Sequence, residues 1–323
     1  MFLKQKGAVV KRLLPTRRDF VKAAAAAGAG SMMLFPGELN ANDTSRRTNV
    51  KDLRMACLQI DSAQKDIAGN LKKIIERIDG AARQKANLMV ACELALSAFL
   101  LSRDEYVSVA QTIPGPATET VGAAARKANA YVVFGLPEKD GGDIFNAVAV
   151  LGPNGGLVAK YRKAHLWLTE NQTFARGNDL CIFDTEFGKI GASICYDIMY
   201  PELIRAIAAK GAGVITHSTG MVTTEDCDKF AWDAGFYNSF VRTRAWENQV
   251  YIPSCNRCGN DLFLYFLANS CVAAPWGEIV GKLGHAEGTL FADTDFARLE
   301  EWKKIAPYWD DRRPDLYDRI LDF

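Results

Sequence analysis

The chain has 323 residues, of which 49% are hydrophobic and 24% charged, with 39 basic residues against 38 acidic ones. That apolar content, with only 26 glycines and 11 prolines, excludes a disordered, collagen-like or mucin-like chain. It describes a globular protein large enough to bury roughly three quarters of its unfolded surface without disulfides or metal. The balance of charge conceals two parts. Residues 1–41 carry seven basic and two acidic residues, which leaves a mildly acidic body without the basic footprint that nucleic-acid phosphates require.

In chain order the first segment is the basic stretch 2–22, followed by the Ala- and Gly-rich run 23–35 and a Pro36-Gly37 break. This run is too short to cross a bilayer core, which takes about 20 apolar residues. It reads as a signal peptide, with no stable membrane insertion expected of the chain. At its junction stands Thr16-Arg17-Arg18-Asp19-Phe20-Val21-Lys22, which resembles the twin-arginine export signal of bacteria. The resemblance implies passage through the twin-arginine machinery in a folded state. Residues 1–41 would then be cleaved after Ala41, and the body, residues 50–323, would work in the periplasm or outside the cell.

From Leu53 the body alternates apolar strand-like runs with helical periodicity. Residues 53–60 read as a strand, 70–84 as a helix through Leu71, Ile74, Ile75 and Ile78, and 88–92 as a strand parallel to the first. An Ala-rich helix at 118–129 and a strand at 131–137 follow. Three antiparallel stretches then turn at Pro153-Asn154-Gly155-Gly156 and at Phe187-Gly188. After Cys195 come a helix from Pro201 to Lys210, a strand at 213–219, a helix across 232–247, a strand at 251–256, two or three further strands and a polar tail. With no repeat and no Gly/Ser-rich linker, the body reads as one α/β domain of sheets covered by helices.

Three polar side chains stand where apolar runs end: Glu93 after LMVAC, Lys163 in the YRKAHLW segment, and Cys195 after KIGASI. Ligands of α/β sheets bind at the carboxyl ends of strands, so three such residues far apart in sequence are candidates for one pocket. Taken singly, each has an ordinary explanation as a turn acid, a surface lysine or a core thiol. Taken with their flanks, ELALSAF, YRKAHLW and ICYDIMYPELIR, they resemble the motifs of the nitrilase superfamily of carbon–nitrogen hydrolases. The segments Arg242-Thr243-Arg244-Ala245-Trp246-Glu247-Asn248, Pro275-Trp276-Gly277-Glu278 and Arg312-Arg313-Pro314-Asp315 are similar to later motifs of that family, as is the strand motif holding Asn256. The likeness spans about residues 53–320.

The resemblance implies a four-layer α-β-β-α sandwich assembled as a homo-oligomer through its outer helices. It also implies a cysteine hydrolase that needs no cofactor. A thiol is a strong nucleophile but is mostly protonated near neutrality, so it requires a base. Cys195 is expected to attack a small aliphatic or aromatic amide and form a thioester. Glu93 would act as general base. Lys163 and the backbone N–H of Tyr196 would stabilise the oxyanion. Glu170, seven residues after Lys163, matches a second glutamate of many family members. Trp167 and Met199 are expected to line the substrate pocket. Met199 stands where members that bind acidic substrates carry Arg, and a thioether cannot pair with a carboxylate. N-carbamoyl amino acid hydrolysis and nitrile hydrolysis are the neighbouring alternatives. An acyltransferase or a non-catalytic binding protein on the same scaffold is the alternative of a different class. His165 and His217 are expected to be structural. Cys255-x-x-Cys258 lacks the second ligand pair of a zinc site and reads as structural thiols or one local disulfide.

Overall fold

The structure, a computed structural model, describes residues 51–224 and 227–317, so the export segment lies outside the described residues. Strand β1 (Arg54–Gln59) leads through helix α1 (Ile67–Arg83) to β2 (Leu88–Ala91), with which it pairs in parallel. Asp66 caps α1 by accepting from the Gly69 N–H at 2.9 Å. Ile74, Ile78 and Ala81, spaced by four and three residues, are its buried face. A short helix α2 (Arg103–Val109) and then α3 (Pro116–Ala128) follow, and α3 begins with proline at its first turn and ends at Asn129 with φ 50°.

Strands β3 (Tyr131–Asp140), β4 (Asp143–Leu151) and β5 (Leu157–Arg162) complete a six-stranded sheet of order β15-β1-β2-β3-β4-β5, where β15 is Gly288–Asp293. The second sheet has the order β14-β13-β10-β8-β7-β6. Its strands are β6 (Cys181–Thr185), β7 (Gly188–Ile194), β8 (Ala212–Thr219), β10 (Ile252–Asn256), β13 (Cys271–Ala273) and β14 (Ile279–Lys282). Helices α4 (Pro201–Ala209) and α5 (Ala234–Asn248) cover its outer face.

The two sheets stack because their strands alternate between two apolar environments. In β8, Val214 joins the core between the sheets while its neighbour Ile215 joins the cluster under α4 and α5. Val272 of β13 likewise faces inward, and Cys271 and Ala273 face outward. With α1 and α3 packed on the first sheet, the result is the expected four-layer α-β-β-α sandwich.

The structure adds elements that periodicity did not suggest. Strand β9 (Val222–Thr223), β11 (Asn260–Asp261) and β12 (Leu264–Phe266) form a three-stranded sheet too short for an alternation signal. The polar tail contains helices α6 (Phe296–Ile305) and α7 (Pro314–Tyr317), where α6 is charged on most faces and buries only Leu299.

Gly135 of β3 marks a close approach of two backbone segments near the site. A Cβ there would stand 2.5 Å from the Leu94 nitrogen and 2.6 Å from the Cys92 oxygen, both backbone atoms flanking Glu93. Gly135→Ala is therefore expected to cost about 1–3 kcal/mol by overpacking, read as a lower urea midpoint with unchanged m. An unaltered midpoint would show that the Glu93 segment yields freely.

Candidate active site

Strands β2, β5 and β7 deliver Glu93, Lys163 and Cys195 from their carboxyl ends, the first two from one sheet and the third from the other. Glu93 and Lys163 are almost wholly buried, at 0% and 1% exposure. Lys163 Nζ lies 2.7 Å from Glu93 Oε1 and 2.8 Å from Glu170 Oε2. Asn146 Nδ2, from β4, donates to both carboxylates at 2.7 Å and 3.0 Å. Gly220 N–H, at the end of β8, donates to Glu93 Oε2 at 2.9 Å, and Trp167 N–H donates to Glu170 Oε2 at 2.7 Å. The Cys195 thiol faces Glu93.

The electrostatics follow from this geometry. Burial opposes the Lys163 charge, but Glu170 and Glu93 outweigh it and hold the ammonium protonated. Burial raises Glu93 above the ordinary carboxylate range, against the pull of Lys163, and so makes it a stronger base. Burial first and the Glu93 charge second raise the Cys195 thiol, while Lys163 and the Thr219 hydroxyl favour its thiolate. The resting nucleophile is therefore a thiol that needs Glu93 to accept its proton.

Cys195 itself has φ 44°, the left-handed conformation, on a sharp strand-to-helix bend. Asp197, fully buried two residues on, holds that bend. It accepts from Ile194 N–H at 3.0 Å and Tyr161 O–H at 2.8 Å through one oxygen, and from His165 N–H and Nδ1–H at 3.1 Å and 2.8 Å through the other. His165 is two residues from Lys163, so one carboxylate ties the lysine segment to the cysteine bend. The His165 ring also stacks on Tyr200 with centroids 3.7 Å apart.

An open cavity of about 240 Å³ has Glu93, Lys163, Glu170 and Cys195 at its base and Phe99, Tyr106, Trp167, Phe174, Val222 and Leu264 among its walls. A second, small recess beside Cys195 is bounded by Tyr196, Trp167, Met221 and Trp232. The structure thus brings together Cys195, Glu93, Lys163, Glu170, Tyr196 and Trp167. Met199 is a correction. The 3₁₀ turn at Cys195–Met199 sends its side chain into the cluster beneath α4 and α5, and its carbonyl accepts from Arg244 Nη2 at 3.1 Å. It is not among the residues lining either cavity.

Asn146, Asp197, Thr219 and Gly220 escaped the sequence reading. Asn146 left a trace as an amide within the apolar run FNAVAVL, where a buried polar group demands a partner. Cys255 and Cys258 are free and buried, and among the described residues no group of three His, Cys, Asp or Glu is arranged to hold a metal ion.

The family profile described as Carbon-nitrogen hydrolase matches residues 54–304. The chain belongs to that family. The hydrolase is 30% identical over 277 residues to the omega-amidase NIT2 of Bos taurus, an alignment covering 82% of this chain and 96% of that one. Its fold is that of Saccharomyces cerevisiae Nit3, a member of branch 10 of the nitrilase superfamily, at a TM-score of 0.73 and 25% identity over 82% of this chain and 97% of that chain. A carbon-nitrogen hydrolase from Helicobacter pylori G27 superposes with a TM-score of 0.76 at 24% identity, covering 84% of this chain and 99% of its own.

His217 of β8, wholly buried beside Ser193 Oγ at 3.1 Å, gives the hydrolase an acid sensitivity. Burial pushes its imidazole down to about 3, below the ordinary 6.5. Unfolded chains take up this proton below pH 6.5 and folded ones do not, so stability is present above that pH and is lost as pH falls toward 3. His217→Gln is expected to remove about 2–3 kcal/mol of the stability lost between pH 7 and pH 4, measured by urea unfolding at each pH. Parallel pH profiles in the two proteins would refute this.

Proposed function

We propose that the hydrolase cleaves small neutral primary amides to acid and ammonia through a Cys195 thioester. The observation that carries this reading is the buried convergence of Glu93, Lys163 and Cys195 at the base of an apolar cavity. Cys195 Sγ attacks the amide carbon as Glu93 takes the thiol proton, and the oxyanion forms against Lys163 Nζ and the Tyr196 N–H. Collapse breaks the C–N bond, and Glu93 returns its proton to the departing nitrogen. Glu93 then takes a proton from water, whose oxygen attacks the thioester, and passes that proton to the leaving sulfur.

The nitrogen departs toward a carboxylate with no exposed surface, which suits ammonia better than a bulky amine. Lys163 is the lone cation among the described cavity-lining residues and is already shared by two carboxylates. A substrate that carries a carboxylate of its own, such as an N-carbamoyl amino acid or a dicarboxylic monoamide, finds no partner there, whereas an apolar acyl group matches the walls. The amidase name of the bovine relative supports the amide over the nitrile.

The segment 16–22, followed by its Ala-rich run, supports twin-arginine export to the periplasm or beyond. Assembly as a homo-oligomer through the outer helices is supported by the half-exposed Trp246 on α5, a residue type enriched at interfaces.

Ammonia release from a panel of amides, N-carbamoyl compounds and nitriles tests the substrate class, and fastest release from neutral amides is expected. Cys195→Ser and Glu93→Gln should fold yet lose at least about 10³-fold in kcat, and wild-type protein quenched during turnover should carry the acyl mass on the Cys195 peptide. Full turnover by either variant would end the thioester mechanism. For export, Arg17→Lys with Arg18→Lys is expected to retain the folded hydrolase in the cytoplasm, followed by cell fractionation, and undiminished export would remove the twin-arginine route.

A further inference from the structure

The largest buried side chain outside the catalytic network is Arg257, which directly follows β10 and has no exposed surface. Its backbone is already fixed, since its N–H donates to Thr219 O at 3.0 Å and its carbonyl accepts from Ala268 N–H at 3.2 Å. The side chain is therefore free to do something other than hold its own strand. Its guanidinium grips both oxygens of Asp261 in the β11–β12 hairpin, the Nη2–Oδ1 contact being 2.8 Å. It also donates to Ser62 O at 2.5 Å and Asp61 Oδ1 at 3.3 Å, both in the loop after β1.

Two aromatic rings flank this cation. Phe266 of β12 lies 4.2 Å from the guanidinium carbon and Phe99 lies 5.7 Å away, with 5.1 Å between the two ring centroids. Asp261 Oδ2 also accepts from the Phe99 N–H at 3.0 Å. These two phenylalanines join one cluster beside the cavity above Cys195. Phe99 and Leu100 pack against Val222, Leu264 and Phe266, and of these Phe99, Leu100, Val222 and Leu264 line the cavity while Phe266 stands behind them. The Phe99 ring presses on Gly220, where a Cβ would stand only 2.3 Å from it, and Gly220 is the amide that holds Glu93.

We infer that Arg257 and Asp261 form a buried clamp that seats the Phe99 loop against the β9–β12 cluster, fixes the position of this side of the cavity and so sets the size of acyl group admitted, as positioning residues that touch neither substrate nor nucleophile. The inference rests on the amide reading given above. A bidentate pair packed against two touching rings has one geometry, because the guanidinium plane fixes the Asp261 carboxylate and both rings together. A lysine keeps the charge but neither the fork nor the stacking plane. Loosening the clamp releases the Phe99 loop and the hairpin, and the site widens for longer chains.

The test compares kcat/KM for propionamide and hexanamide in wild type, Asp261→Asn, Arg257→Lys and Phe266→Leu. Each methylene in a fitted pocket commands a factor of about 10 or more, so the hexanamide-to-propionamide ratio is expected to rise at least about 10-fold in both clamp variants. The change should fall on the KM for hexanamide, with kcat for propionamide within about 3-fold of wild type. Phe266→Leu removes the ring nearest the guanidinium without unpairing the buried charges, lines neither cavity, and should raise the ratio similarly, which keeps the test decisive if a clamp variant fails to fold. A ratio unchanged in the folded variants, or an equal fall for both amides, overturns the clamp. Wild-type protein that releases no ammonia from any amide overturns instead the amide reading beneath it.

Discussion

A lysine ammonium buried between two carboxylates is the interaction on which the rest of the site depends. Lys163 is bound by Glu93 and Glu170 within 2.8 Å of each, and Asn146 bridges the same two acids from the neighbouring strand. Removing one partner of such a group leaves a buried charge uncompensated, at a cost of about 3–5 kcal/mol. The network therefore sits where the fold is least able to move, between the two sheets. Glu93 and Lys163 come from the first sheet, while the Gly220 amide that steadies Glu93 and the thiol that faces it come from the second. The sandwich closes around these contacts, and the contacts have their geometry because the sandwich is closed.

One cation against two carboxylates leaves the base of the cavity with no surplus positive charge for a substrate. This arithmetic bears on chemistry in two ways. Burial, and then the same carboxylates that keep Lys163 charged, raise the Cys195 thiol, so the nucleophile is unreactive until Glu93 accepts its proton. The apolar walls then select by fit and not by charge, which places discrimination in side chains such as Phe99 and Leu264 that take no part in the bond-making steps.

Much of this was legible in the linear sequence because it depends on local signals. Apolar runs ending in a single polar side chain marked the strand ends that carry Glu93, Lys163 and Cys195, and helical spacing of Leu71, Ile74, Ile75 and Ile78 marked α1. The misreading of Met199 shows the limit of such signals. Its position four residues after the nucleophile suggested the pocket, but a 3₁₀ turn rotates side chains differently from an α-helix and turned it toward α4 and α5. Helix α6 was missed because a helix that buries one leucine has almost no amphipathic pattern. Asp197 and Arg257 were missed for another reason. Partners that define their roles lie 32 and 196 residues away, and nothing in one chain's periodicity pairs Asp197 with His165 or Arg257 with Asp61.

The order of the first sheet carries a consequence for how the molecule is made. Strand β1 lies between β2, reached after one helix, and β15, whose residues pair with it from Arg54↔Asp293 to Gln59↔Gly288. The first strand among the described residues thus waits for the last before its second edge is covered. Contacts of such long sequence separation slow folding, because the loop they close must be ordered before they repay it. Until then β1 presents an unpaired apolar edge that invites association with other chains. A nascent hydrolase should accordingly depend on chaperones through most of its synthesis, and premature termination anywhere before Gly288 would leave that edge permanently open.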